Sequence, residues 1–137
     1  MAKITIVGAG NVGTQTAVHC ARKGHNVKIF TPNYKKINDE LCIVNEDYNL
    51  TYSAIIDGAT DNIREAFEDV DIVFVTVPAM VMKSVADKIK IYASDKMKIC
   101  LLPGTGGGEW VFKECIECGA TVFGLQRVPS VARLVEY

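Results

Sequence analysis

What this sequence has little of closes off several classes of function. It has little net charge: 15 Lys and Arg stand against 16 Asp and Glu over 137 residues, a balance of −1. No field of one sign gathers nucleic acid or an anionic membrane surface, so neither is expected as a partner. It lacks a long apolar run. The longest, residues 70–82, is broken by Asp71, Thr76 and Pro78, and a bilayer needs about 20 apolar residues. No basic segment precedes an apolar stretch at the N-terminus, and a strand begins by Lys3, so no signal peptide is expected. A metal-ligand set is also missing. Only Cys115 and Cys118 have metal or redox spacing, and the two histidines, His19 and His25, lie far upstream of them. The five cysteines, Cys20, Cys42, Cys100, Cys115 and Cys118, are odd in number and scattered through apolar segments. That pattern fits reduced thiols in a cytoplasmic protein rather than a disulfide framework. The 115–118 pair reads as one face of an amphipathic helix, with a redox dithiol as the alternative.

What is present is the material of a folded domain: 49% hydrophobic and 23% charged residues in a length that suits one core. Residues 3–8 read as a buried strand rich in β-branched side chains. Residues 11–23 read as a helix with Val12, Thr16, Ala17, Cys20 and Ala21 on one face, stopped by Gly24. A strand over 26–31 follows. Residues 32–49 are irregular, with a helical turn near 34–38 and a short strand near 41–44. Residues 50–56 form another strand, and Thr60 caps a helix running to Phe67. The near-continuous apolar run at 71–77 is that of a parallel strand covered on both faces. A helix over 79–92, a strand over 97–102, a loop at 104–108, a helix over 109–118 and a strand over 120–125 complete the alternation, and 128–137 starts a further helix. Strands alternating with helices give right-handed βαβ units. The fold class is therefore α/β, a three-layer, doubly wound parallel sheet of the Rossmann type in one domain, residues 1–137.

The stretch "IVGAGNVG" places Gly8, Gly10 and Gly13 between the first strand and the first helix. In that context each glycine has a task. Gly8 permits a tight turn, Gly10 lets backbone approach a pyrophosphate, and Gly13 lets the helix pack on the strand. The free N–H groups near Asn11 and Val12 then face the anion, with the helix dipole behind them. No G-K-[S/T] follows, which excludes a P-loop. The expected partner is a dinucleotide. An acid at the end of the second strand would hold the 2′-hydroxyl of NAD, but Thr31 stands there, followed by Pro32. Thr31, Asn33, Lys35 and Lys36 offer donors to a 2′-phosphate instead. This favours NADP(H), with NAD as the runner-up.

The segments "IVGAGNVG", "DIVFVTVPA", "LLPGTGGG" and "GLQRVPSVARLVEY" occur in the order seen in the N-terminal domain of the opine (octopine/nopaline) dehydrogenase family. The chain resembles that domain over essentially its whole length. The family sits in a wider group with ketopantoate reductases and glycerol-3-phosphate dehydrogenases. The resemblance implies reduction by NAD(P)H of an imine formed from an amino acid and a 2-keto acid. It places Val77, Pro78 and Ala79 along the cofactor and Thr105 to Gly107 near its nicotinamide end. It leaves Arg127 and Arg133 facing an acidic substrate or a second domain, or serving as surface charge and helix-dipole partner. It also implies a second, helical domain carrying the substrate pocket and acid/base residues, so this chain alone is expected to bind cofactor without turnover. His25 precedes the second strand and His19 is on the helix leading there, at the end away from the ligand edge, so no catalytic residue is assigned. Two other readings stand beside this one: a nucleotide-sensing module of a channel or transporter, and a fragment of a ketopantoate reductase-like enzyme. Exposed apolar surface near 128–137 would favour a homo-oligomer.

Overall fold

A computed structural model describes residues 1–104 and 106–136. The strands are β1 (Lys3–Val7), β2 (Asn26–Phe30), β3 (Glu40–Asn45), β4 (Leu50–Ile55), β5 (Ala59–Thr60), β6 (Ile72–Val75), β7 (Lys98–Leu101) and β8 (Thr121–Gly124). The helices are α1 (Asn11–Arg22), α2 (Ile63–Phe67), α3 (Ala79–Ile89), α4 (Gly108–Val111) and α5 (Lys113–Glu117), with a 3-10 turn at Tyr34–Lys36. Six strands form one sheet in the order β5-β2-β1-β6-β7-β8, and every pairing in it is parallel. Counted along the chain, these sheet strands follow the doubly wound order 3-2-1-4-5-6 of the Rossmann fold. The order reverses at β1, beside β6.

Alternation along the strands sends side chains to two buried layers. Ile4, Ile6, Val27 and Ile29 pack against Ala17 and Val18 of α1. Val7, Phe30, Val73, Val75, Ile99 and Leu101 pack against Phe67 of α2, Met82, Val85 and Ile89 of α3, and Phe112 and Cys115. Each fully buried aliphatic side chain contributes about 2 kcal/mol of burial free energy. Two-faced cover is also why β6 and β7 read as apolar runs.

Four local expectations need correction. The strand over 50–56 exists, but it lies outside the parallel sheet. It pairs antiparallel with β3 in a separate hairpin, which fills the β2-to-β5 crossover where a helix would ordinarily stand. Period-2 alternation explains this: Leu41, Ile43 and Ala54 turn toward the layer under α1, while Cys42, Val44 and Ile55 face out. The Arg22 guanidinium lies 4.4 Å from the centroid of the Tyr52 ring and ties the hairpin to α1. Thr60 is not the cap of α2. It ends β5, and the cap is Asn62, whose side chain accepts from Glu65 N–H at 3.2 Å. The Thr60 hydroxyl accepts from Asn62 N–H at 3.1 Å and donates to Glu65 at 2.9 Å, so it braces the cap from behind. The helix over 109–118 is two short helices broken at Phe112. Finally, 128–136 contains no helix. Pro129 brings no N–H to this stretch, and the N–H of Leu134 donates to the Asn11 side chain at 2.7 Å instead of to a helical carbonyl.

Candidate functional site

Parallel strands bring the ends of β1, β2, β6 and β7 to one edge, and the candidate residues gather there. The turn leaving β1 begins at Gly8, which has φ +107° and donates its N–H to Phe30 O at 3.0 Å, joining the turn to the end of β2. A Cβ at Gly8 would come within 2.8 Å of Thr76 Oγ1 and 3.1 Å of Val77 Cγ1. A Cβ at Gly13 would lie 2.0 Å from the carbonyl oxygen of Gly8, so α1 abuts the turn it springs from. Gly10 differs from both: a Cβ there would meet nothing within 4 Å. The protein's own packing therefore requires glycine at 8 and 13, and leaves open space at 10.

Gly10 is also the N-cap of α1. No side chain caps the helix and no acid occupies its first turn. The Gly10 carbonyl accepts from Thr14 N–H at 3.0 Å and from the Thr14 hydroxyl at 2.9 Å. Among the described residues, the opening N–H groups, on Asn11, Val12 and Gly13, thus have no side-chain capping oxygen, and no carboxylate in the first turn answers the positive end of the dipole. Such an end is suited to an anion. Thr76 fixes the neighbouring wall, with its N–H and hydroxyl donating to Val7 O at 3.0 and 2.8 Å. The sequence pattern did not single out Thr76; a hydroxyl at the end of an apolar strand is the signal that could have found it.

Thr31 follows β2 directly, where the sequence puts it, and is buried. Its N–H donates to Thr60 O at 3.0 Å, and its hydroxyl accepts from Asn33 N–H at 3.3 Å. That bond uses a lone pair and leaves the hydroxyl proton able to donate. Asn33, Lys35 and Lys36 are exposed beside it, and among the described residues neither lysine joins an ion pair. Val77, Pro78 and Ala79 lead from β6 into α3, with Pro78 as N-cap. Thr105 lies outside the described residues. Beyond it, exposed Gly107, at φ +81°, caps α4.

Other candidates sit elsewhere. His25 accepts from Ala2 N–H through Nδ1 at 3.1 Å, at the amino edge of the sheet. His19 shares a surface hollow of about 360 Å³ with it, with Cys20, Arg22 and Lys23. Neither imidazole is at the edge where the glycine turn lies. Cys115 is buried and donates to Ala86 O at 3.8 Å. Desolvation, reinforced by neighbouring Cys118 and Glu114, pushes its thiol up to about 11, as for a thiol packed in a core. Burial alone raises Cys100 to about 11. Among the described residues, no group of three or more His, Cys, Asp or Glu side chains could hold a metal, and no helix is long and apolar enough to cross a membrane.

Known proteins resemble the chain in sequence and in fold. An opine dehydrogenase of Arthrobacter sp. (strain 1C) is 33% identical over 114 residues, covering 81% of this chain and 32% of that protein. A glycerol-3-phosphate dehydrogenase [NAD(P)+] of Clostridium botulinum (strain Alaska E43 / Type E3) is 32% identical over 94 residues, covering 66% of this chain and 28% of the relative. A structure of octopine dehydrogenase with NADH and L-arginine superposes with a TM-score of 0.89 at 22% identity, covering all of this chain and 38% of the other. The chain thus spans about a third of the length of the relatives it matches. Residues 3–107 match the family described as "NAD-dependent glycerol-3-phosphate dehydrogenase N-terminus". The chain belongs to this family, and folds as a dinucleotide-binding domain of the Rossmann type.

Proposed function

We propose that the chain is the cofactor-holding part of an opine dehydrogenase-like oxidoreductase, and that it takes NADP(H) in preference to NAD(H). Gly10 is the observation that carries the cradle: the protein's own packing does not require glycine there, and the open space lets a ligand approach the backbone. Gly8 and Gly10 with the N–H groups of Asn11, Val12 and Gly13 hold the pyrophosphate. Thr31, Asn33 and Lys35, with Lys36 beside them, receive the ribose 2′-phosphate. No carboxylate lies within residues 31–38 to repel that dianion, and charge-assisted hydrogen bonds to it are the strong kind. Val77, Pro78 and Ala79 flank the cofactor, and Thr105 serves its nicotinamide end. When bound, the reduced cofactor supplies a hydride.

The substrate of the whole enzyme is an imine of an amino acid and a 2-keto acid, reduced to a secondary amine dicarboxylate. The opine dehydrogenase match, longer than that of the clostridial glycerol-3-phosphate enzyme, supports this over glycerol 3-phosphate oxidation, which the family description favours as the second reading. Arg127 and Arg133 are exposed and meet the substrate carboxylates or a further domain. The groups that move protons are assigned to that further domain, since both histidines lie away from the cradle. Val131 and Val135, more than nine-tenths exposed, find their apolar partner in such a domain or in a second copy. A cytoplasmic location agrees with five free cysteines.

The test is Thr31→Asp. A carboxylate in this position repels the 2′-phosphate, so NADPH affinity falls about tenfold or more while NADH affinity holds or improves. Fluorescence titration reads both. Undiminished NADPH affinity would remove Thr31 from the 2′ position.

A further inference from the structure

The segment after β8 does not leave the fold directly. Leu125 closes the sheet edge, with its N–H donating to Leu101 O at 3.1 Å and its carbonyl accepting from Gly104 N–H at 2.7 Å. The segment that follows returns from the β8 edge to the start of α1, which Leu134 reaches. That path crosses three strand spacings, roughly 14 Å. Among the described residues, the segment makes one hydrogen bond: Leu134 N–H donates to Asn11 Oδ1 at 2.7 Å. Asn11 is exposed and is the first residue of α1, inside the glycine turn.

The chemistry of the amide gives this contact a direction. A backbone N–H can be received only by the side-chain oxygen, so the bond fixes which way the Asn11 amide is turned. With its oxygen turned to the segment, the Asn11 amide presents its two N–H donors to other partners. Released, the same side chain can rotate and present a lone pair to an arriving anion, a repulsive contact beside the uncapped N–H groups.

We propose that residues 126–136 form a strap that sets the Asn11 amide for dinucleotide binding, so that docking of the strap and occupancy of the cradle favour each other. Asn11 is then a positioning residue, and the strap is linked to the cofactor site by reciprocal coupling. This rests on the dinucleotide reading above, and the experiment separates the two.

The probe is Leu134→Pro compared with Leu134→Ala in the full chain, titrated with NADPH and NADH. Both variants lose the leucine side chain, and only the proline lacks the N–H. Dissociation constants about fivefold weaker in Leu134→Pro than in Leu134→Ala are expected, and the difference vanishes when both are made in an Asn11→Ala background. In the unsubstituted chain, hydrogen exchange at the Leu134 amide slows when dinucleotide is added, which a contact that only steadies the segment would not produce. Equal constants for the two variants, tighter binding by Leu134→Pro, or exchange indifferent to dinucleotide would each overturn the strap while leaving the cradle standing. Failure of the unsubstituted chain to bind either dinucleotide would overturn the cradle itself, and the strap with it.

Discussion

A glycine can be demanded by the protein around it or by something the protein binds, and the three in this turn divide on that line. At Gly13 a single methyl would sit 2.0 Å from a backbone carbonyl oxygen. The backbone cannot yield cheaply, so Gly13→Ala should cost about 3 kcal/mol and lower the thermal midpoint by about 10 °C. At Gly10 the φ of −86° suits any residue and the space is open. Gly10→Val should therefore keep the midpoint within about 3 °C and abolish dinucleotide binding by filling the approach to the backbone. Calorimetric melts and ligand titration on the two variants check both halves. A folded Gly10→Val protein that still binds would sink the role given to Gly10. The spacing of the glycines was legible in the sequence, and so was Thr31 at the end of β2. The commitment of Asn11 to Leu134 was not, because it joins residues 123 positions apart through a backbone group that carries no sequence signature.

Among the elements, those with a strong period or two-sided burial were read correctly, and those decided by a competing local bond were not. β1, α1, β2, β6, α3 and β7 belong to the first kind. The β3–β4 hairpin shows what periodicity omits: alternation identifies a strand without saying which sheet receives it. The Thr60 and Asn62 pair shows two good capping residues two positions apart, where pairing of Thr60 beside Phe30 in the sheet left the cap to Asn62. The Cys115–Cys118 spacing reads as a helix face, with a dithiol as the alternative, and the burial of Cys115 favours the former. With Cys100 and Cys115 raised to about 11, roughly one in a thousand of either is thiolate at pH 8, and both are shut away from reagent. Cys42 and Cys118 are exposed. A disulfide reagent at pH 8 should thus label Cys42 and Cys118 quickly, and Cys100 and Cys115 only on unfolding. Fast labelling of Cys115 in the native protein would restore the dithiol reading.

At the scale of the molecule, one property organises the rest: parallel strands put every loop after a strand on the same edge. The glycine turn, Thr31, the β6–α3 junction and the returning strap meet there because the topology leaves them no other place. The alternation of elements announced that edge. Exposed apolar surface near 128–137 was expected from the resemblance, and Val131 and Val135 are exposed, but in a segment read as helical that contains no helix. The measurement that bears most directly on the central claim is a calorimetric titration of the chain with NADPH and with NADH at one ionic strength. The account predicts binding of both, with NADPH tighter by about tenfold, about 1.4 kcal/mol. Binding of neither, or NADH tighter than NADPH, would contradict it.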